Sequence, residues 1–352
     1  MSTRPRVLVA LSGGVDSSLA AALLAEQGHS VIGVTLHLWD AEGEDKVGRC
    51  CAPEDRDDAR RTCELLGVPH YVIDERTAFR GQVVDRFISE NRAGRTPIPC
   101  VACNQTVKLG RLEEIANTFG ADLIATGHYA RVQRTQTGVE LLRGRDSDKD
   151  QSYFLFGVPQ RVLGKLTFPL GEMVKSDARE HAKRLGLPNW AKPDSQELCF
   201  VPDGDVRGFV SRHAGAQPEG DVVDEAGQVL GRHHGVAGFT IGQRRGIGIP
   251  GKDPRYVLRV MPETQAVIVG SADRLLSDAL SADSVTWTTR APTAPFEAQV
   301  RIRSRHRAAQ ARVTPTASGF EAQFEVPQSA IAPGQAAVVY QDDRVIGGGY
   351  IQ

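Results

Sequence analysis

Apolar runs of strand length alternate with helix-forming stretches over the first two hundred residues. Val7-Leu8-Val9-Ala10-Leu11 is a continuous apolar run, and residues 19–28 that follow are rich in helix formers and closed by Gly28 in the C′ position. Residues 30–36 predict a second buried strand, 54–66 a helix with one charged face, and 70–73 a third strand. A long helix is expected over 79–92, another from about Asn104 to Phe119, and a fourth strand over 122–126. A short hairpin follows within 132–142, then a helix over 175–185. Strands alternating with helices predict an α/β fold with a doubly wound parallel sheet, whose ligand lies at the carboxyl ends of the strands. From about Gly204 glycine, valine and short alternating runs replace the long helices, as in Ala266-Val267-Ile268-Val269 and Ala336-Ala337-Val338-Val339-Tyr340. That texture predicts two small β-rich domains. The expected division is 1–203, 204–277 and 278–352.

The turn between the first strand and the first helix is Ser12-Gly13-Gly14-Val15-Asp16-Ser17-Ser18. A buried strand turning through glycines into a helix aims backbone N–H groups and the positive end of the helix dipole at one point, which suits phosphate. No Gly-Lys-Ser/Thr follows, so this is not a Walker A loop. The pattern resembles the PP-loop of ATP pyrophosphatases, which split ATP into AMP and pyrophosphate. The plainer alternative is an ordinary glycine-rich turn. Leu36, at the end of the second strand, is a candidate apolar contact for adenine, although spacing alone favours plain core packing.

Composition narrows the class. With 41% hydrophobic and 24% charged residues among 352, the chain is that of a globular enzyme with room for two or three domains. No apolar run approaches a membrane span, and no signal pattern opens the chain, so a cytoplasmic protein without a membrane partner is expected. A net charge of −1 leaves any RNA case to local patches. Two exist. One holds Arg232, Arg244, Arg245, Lys252, Arg255 and Arg259 against Asp253, and the other Arg301, Arg303, Arg305, His306, Arg307 and Arg312. Alternation over 301–305 predicts arginines on one strand face. Either run alone reads as a solvated face; together they suggest a phosphate track.

Six cysteines are too few for a secreted disulfide scaffold and point to thiol chemistry or metal binding. Cys100 and Cys103 form a C-x-x-C at the expected start of a helix, where a thiol gains thiolate character. A zinc site completed by Cys50, Cys51 or Cys63 is the structural alternative. Cys199, isolated in a polar loop, reads on its own as a small buried hydrophobe.

The 12–18 loop, residues 97–104, Thr126-Gly127-His128-Tyr129-Ala130-Arg131 and 148–153 occur in order with Phe168-Pro169-Leu170-Gly171, 194–200, 235–246 and Ala332-Pro333-Gly334-Gln335. This ordered set resembles the bacterial tRNA-specific 2-thiouridylase family over essentially the whole chain. The resemblance implies a PP-loop catalytic domain, a small central domain and a C-terminal β-barrel. It implies an enzyme, a sulfurtransferase, that adenylates C2 of the wobble uridine (position 34) with ATP and Mg²⁺ and replaces the oxygen by sulfur. By match to the family's motifs, Cys103 is the nucleophile and Cys199 the persulfide carrier, with Asp16 and Cys100 also at the catalytic centre. Ala10, Leu11, Ser12, Gly13, Gly14, Val15, Asp16, Ser17, Leu36 and Gly127 match ATP contacts. Ile98, Pro99 and Cys100 match the target-base segment, and His128, Lys149, Asp150, Gln151, Arg303, Ser304 and Gln335 match tRNA contacts. The implied partners are tRNA, through its anticodon region and of the Glu, Gln and Lys types, and a persulfide donor such as a cysteine desulfurase or sulfur carrier.

Three positions depart from a common form of the family. Ile98 stands where Asn is frequent, Ser304 replaces an aromatic beside Arg303, and Cys100 stands where other members have Asp. With Cys at 100, two routes for sulfur stay open. One is a persulfide on Cys199 resolved by Cys103. The other is a [4Fe-4S] cluster held by Cys100, Cys103 and Cys199 with an open iron. The rival functions are a PP-loop ligase with a nitrogen nucleophile, which needs no cysteines beside ATP, and a non-enzymatic ATP- or metal-binding module.

Overall fold

The structure, a computed structural model, describes residues 4–40, 53–136, 138–194, 198–201, 203–250 and 253–352. Cys50, Cys51 and Lys252 therefore lie outside the described residues. Contacts divide the chain into two units. One comprises Met1–Val83, Cys100–Pro202 and Asp343–Ile346, and the other Val84–Pro99, Asp203–Asp342 and Gly347–Gln352.

The first unit is the expected α/β domain. Its strands lie in the order His70–Asp74, Ser30–His37, Arg6–Ala10, Leu123–Ala125, Leu166–Thr167, all parallel. The order reverses between Arg6–Ala10 and Leu123–Ala125, so a crevice opens outside the carboxyl ends of these two neighbours. Val7, Leu8 and Val9 are fully buried, as their uninterrupted apolar run requires. The helix Val15–Glu26 shows no amphipathic stripe because it packs on two sides. Ala21 and Leu24 join Val7, Val9 and Val31 in one apolar cluster, and Val15, Leu19 and Ala22 join Tyr129, Leu170 and Ala178 in another. Each such leucine contributes about 1.5–3 kcal/mol by leaving water. Gly28, at φ +78°, ends the helix with its N–H on the Ala25 carbonyl at 2.8 Å, as the C′ reading predicts.

Two helices differ from expectation. The helix expected over 79–92 begins at Arg76 and runs Arg76–Phe79, Arg80–Val84, Asp85–Arg92, its middle segment wound as a π-helix. The helix expected after Asn104 begins earlier, at Pro99, whose fixed φ and missing N–H suit a first turn. It continues as a π segment over Cys103–Lys108 and then as Leu109–Thr118.

The second unit carries two β structures. A four-stranded sheet orders Tyr256–Met261, Ala266–Gly270, Gly220–Val223 and Val229–His233 around Val222, Phe239, Val257 and Val267. It is preceded by a helix, Val206–Ala214, that the β-rich texture hid; Asp205 caps it by accepting from the Gly208 N–H at 2.8 Å. The strands Leu276–Trp287, Gly319–Ser329, Ala309–Pro315, Phe296–Arg301, Ala336–Gln341 and Arg344–Ile351 follow one another and close, the last pairing with the first. That is a six-stranded β-barrel.

One expectation fails here. The strand Phe296–Arg301 stops at Arg301 and the chain turns over 303–306, so the arginines do not share a strand face. Arg301 is buried and its guanidinium donates to the Ser304 carbonyl, while Arg303, Arg305 and Arg307 are exposed. Satisfying a buried guanidinium with a backbone carbonyl fixes the turn and breaks the alternation.

Candidate active site

The loop at the reversal point has the geometry of an anion cradle. Gly13 adopts φ +75°, and a Cβ there would lie 2.2 Å from the Asp55 carbonyl oxygen, so only glycine fits. Gly14 is the N-cap of Val15–Glu26 and supplies no side chain to the first turn, which leaves that turn's amides for a ligand. Ser17 is buried; its hydroxyl accepts from the Ser12 N–H at 3.1 Å and donates to the Gly14 carbonyl at 3.0 Å, which holds the turn closed. Ser12 is exposed at its mouth. Ser18 faces inward, accepting from Thr62 at 3.1 Å and Asn189 at 2.9 Å.

Across the crevice, a Cβ on Gly127 would meet the Ser17 nitrogen at 2.6 Å. The glycine after the fourth strand thus lets that strand end abut the first turn of the helix. Leu36 is buried at the carboxyl end of its strand, and Ala10 and Leu11 lead into the loop, with the Leu11 N–H on the Val34 carbonyl at 2.8 Å.

Asp16 is ringed by partners that sequence motifs did not single out. The Lys175 ammonium lies 2.7 Å from both carboxylate oxygens, and the Tyr129 hydroxyl donates to one at 2.9 Å. Burial and the Asp16 charge push the Tyr129 phenol above its ordinary value, so it stays a donor. Lys175 also pairs with Asp194 at 2.9 Å, which in turn takes Lys149 at 2.9 Å and Arg179 at 2.7 Å. Burial works to raise the Asp194 carboxyl, but hydrogen bonds from Lys149 and Lys175 hold it well below the usual carboxylate range. A second lysine, Lys192, bridges Asp55 at 2.5 Å and Asp58 at 2.7 Å and reaches the Gly13 carbonyl at 3.4 Å. Burial opposes its charge; the hydrogen bonds it donates to the two carboxylates prevail and raise its pKa. Long-range pairs of this kind leave no spacing signature in the sequence.

The thiols occupy distinct settings. Cys100 is exposed in the first turn of its helix, and Cys103, one turn on, is buried where the π segment starts. π segments inside α-helices are frequent at functional sites. Cys199 is half-buried in a turn, seated by its neighbour Phe200, whose ring packs 5.7 Å from Phe79 and 6.4 Å from Trp39. Cys63 is buried and its thiol is pushed up to about 12 by that burial, which makes it inert. Among the described residues no group of three or more His, Cys, Asp or Glu side chains is arranged to hold a metal ion.

The residues matched to tRNA are scattered in role. Asp150 is buried, accepting from the Gly144 and Ser152 N–H groups and the Ser152 hydroxyl at 3.0–3.1 Å. Gln151 accepts from the Tyr129 N–H at 2.9 Å. His128 pairs through Nδ1 with the Thr126 hydroxyl at 2.7 Å, and burial, with the Lys108 charge, pushes it down to about 3. In the second unit Ile98 and Pro99 are buried, and the Gln335 amide donates to the Thr96 carbonyl at 3.0 Å just before them. Arg303 is exposed, with one nitrogen on the Ser329 carbonyl at 2.9 Å, and Ser304 is half-buried.

Family models match nearly all of the chain. That described as tRNA methyl transferase HUP domain covers residues 5–203, a PRC-barrel domain of the same series 207–271, and an aminomethyltransferase beta-barrel domain 277–351. A relative from Geobacter metallireducens, tRNA-specific 2-thiouridylase MnmA, is 48% identical over 99% of this chain and 97% of its own length. The chain belongs to the tRNA-specific 2-thiouridylase MnmA family. A second 2-thiouridylase MnmA, from Sorangium cellulosum, is 47% identical over 100% of this chain and 93% of its own. Among solved structures, a 4-thiouridine synthetase–RNA complex with bound ATP is similar at 17% identity and a TM-score of 0.35, over 56% of this chain and 45% of that one. No helix among the described residues of this MnmA-family chain is long and apolar enough to cross a membrane.

Proposed function

We propose that the chain is a tRNA-specific 2-thiouridylase, a sulfurtransferase that uses ATP to replace the C2 oxygen of a tRNA wobble uridine with sulfur. The observation that carries this reading is near-full-length identity to 2-thiouridylases combined with an ATP-pyrophosphatase type of loop at the reversal point of a parallel sheet. The chemistry explains the parts. A carbonyl oxygen is a poor leaving group, and transfer of AMP onto it makes a good one. The 12–18 loop would receive the phosphates, its first-turn amides meeting the charge of the departing pyrophosphate. Mg²⁺ would supply further charge neutralisation on the phosphates. Asp16, held by Lys175 and Tyr129, orders the loop beside them.

Sulfur would come as a persulfide on Cys199. Its terminal sulfur attacks C2 and AMP leaves with the C2 oxygen. Cys103 thiolate then attacks the Cys199 sulfur, releasing the thiolated base and leaving a Cys103–Cys199 disulfide that a thiol reductant resets. A buried Cys103 suits a resolving thiol, and a half-buried Cys199 suits a carrier that must accept sulfur from outside. A persulfide sulfur donor and tRNAs of the Glu, Gln and Lys types follow as partners in a cytoplasmic setting. Methyl transfer, which the family-model descriptions mention, would call for none of these thiols. The nitrogen-nucleophile class of PP-loop ligases would not either.

The test is genetic and chemical. Bulk tRNA from a strain lacking the gene should lose 2-thiouridine, and the wild-type chain should restore it while Cys103→Ser and Cys199→Ser do not. Restoration by Cys103→Ser would rule out Cys103 as the resolving thiol, and unchanged 2-thiouridine in the strain lacking the gene would favour the nitrogen-transfer class. Restoration by the wild-type chain only when iron is supplied, with loss in Cys100→Ser, would favour the cluster over the persulfide route.

A further inference from the structure

The Gly13 carbonyl is turned into the protein, where it accepts from the Asn189 amide at 2.9 Å and from the Lys192 ammonium at 3.4 Å. The Gly13–Gly14 peptide is trans, so its N–H, on Gly14, is directed to the opposite side. Among the described residues that N–H has no acceptor. Lys192 is mostly buried, and its three N–H bonds meet three acceptors: Asp55 at 2.5 Å, Asp58 at 2.7 Å and the Gly13 carbonyl. Asp55 lies in the first turn of the helix Pro53–Leu66, whose backbone is the one a Cβ on Gly13 would strike at 2.2 Å. Lys192 therefore ties loop and helix together at the point where they touch.

We propose that Lys192 is a positioning residue for the Gly13–Gly14 peptide: its charge holds the carbonyl inward and so keeps the Gly14 N–H aimed at the phosphates that leave as pyrophosphate. This rests on the reading that ATP phosphates occupy the 12–18 loop. Two physical effects give the direction. A cation on the carbonyl oxygen polarises the peptide and strengthens the donor at its other end. Without that cation the glycine pair is free to rotate its peptide and turn a carbonyl toward the phosphates. Removing the ammonium also leaves Asp55 and Asp58 as two uncompensated carboxylates behind the loop, at the wrong sign for an anion. Negative charge on the pyrophosphate side grows as AMP is transferred, so a donor fixed beforehand favours the transition state over the bound nucleotide. Neither the loop motif nor the C-x-x-C identifies this lysine.

The experiment uses the full chain and calorimetric titration with inorganic pyrophosphate, the non-cleavable nucleotide α,β-methylene-ATP, and AMP, each with Mg²⁺. Lys192→Met is expected to weaken binding of pyrophosphate and of α,β-methylene-ATP about tenfold or more, while AMP changes by less than about twofold. The kcat for tRNA-dependent pyrophosphate release should fall by at least as large a factor. Lys192→Arg, which keeps the charge, should recover part of both losses. Asp58→Asn keeps an acceptor for the ammonium but removes one negative charge behind the loop, so it should bind pyrophosphate as tightly as wild type or more tightly. A plain structural clamp predicts otherwise, because its loosening would weaken all three ligands in both variants. Asp58→Asn also carries the test where Lys192→Met does not fold. Wild-type pyrophosphate affinity in folded Lys192→Met, equal losses there for AMP and pyrophosphate, or weakened pyrophosphate binding in Asp58→Asn would overturn the proposal. If wild type binds neither pyrophosphate nor α,β-methylene-ATP, it is the reading of the 12–18 loop that fails.

Discussion

The side-chain amide of Asn189 donates to the Gly13 carbonyl at 2.9 Å, joining positions 176 residues apart in the chain. The same nitrogen reaches the Ser18 hydroxyl at 2.9 Å, so one buried side chain braces both ends of the nucleotide loop's turn. Asn189→Ala removes the donor and leaves a buried carbonyl and hydroxyl short of a partner. We expect a loss of about 1–3 kcal/mol in stability by urea denaturation. Affinity for α,β-methylene-ATP should fall with it. Unchanged affinity in a folded variant would show that the loop keeps its shape without this brace.

Gly127 faces the same helix turn from the neighbouring strand. A Cβ added there would lie 2.6 Å from the Ser17 nitrogen and 2.7 Å from the Asp16 carbonyl carbon, backbone atoms that cannot swing aside as a flexible side chain would. Gly127→Ala should push the fourth strand's end off the loop and weaken nucleotide binding by about tenfold, near 1.4 kcal/mol. Calorimetric titration of the variant checks this directly, and wild-type affinity would contradict the close approach.

How much of this could be read from the chain alone differs by element. Four of the five parallel strands and the glycines of the loop were legible because buried strands leave apolar runs and tight turns leave glycine; the fifth, Leu166–Thr167, is two residues long and leaves no run. The C-x-x-C was placed on a helix start, but Pro99 rather than Asn104 opens that helix, and its π turn at Cys103 carries no sequence signal. Lys175, Asn189 and Lys192 were not legible as site residues. Each acts through partners more than a hundred positions away, and a lone Lys or Asn has no period to betray it. The arginines over 301–305 misled for the opposite reason: alternation implied a strand, while burial of Arg301 makes a turn.

His128 offers a pH signature. Its folded pKa, pushed down to about 3 from 6.5 by burial, lies below the unfolded value, so between these two pH values the unfolded state binds more protons. Stability is therefore full above pH 6.5 and declines as pH falls toward 3. His128→Gln should flatten that decline by up to about 1.4 kcal/mol per pH unit. Urea denaturation at pH 7.5 and 5 compares the two proteins; parallel losses would mean His128 titrates normally. The imidazole is neutral near pH 7, so any contact it makes with RNA is a hydrogen bond and not a charge.

The basic turn of the barrel separates binding from stability. Arg303 and Arg305 are exposed, and replacing both with Ala should weaken tRNA binding and flatten the log–log salt dependence by about one to two units, with little effect on folding. Arg301→Ala should do the reverse, lowering the melting temperature because the Ser304 carbonyl loses its buried donor. An unchanged salt slope in the double variant would place these arginines away from the RNA.

The central claim is that ATP cleavage and sulfur insertion are one reaction on one uridine. Purified protein incubated with unmodified tRNA, ATP, Mg²⁺ and a persulfide donor should yield 2-thiouridine at the wobble position, read by nucleoside mass spectrometry, in step with AMP. Omitting ATP or replacing it with α,β-methylene-ATP should stop both. The account predicts AMP and 2-thiouridine in equal amounts; 2-thiouridine formed without ATP cleavage, or tRNA-dependent AMP release that never yields it with the donor present, would contradict it.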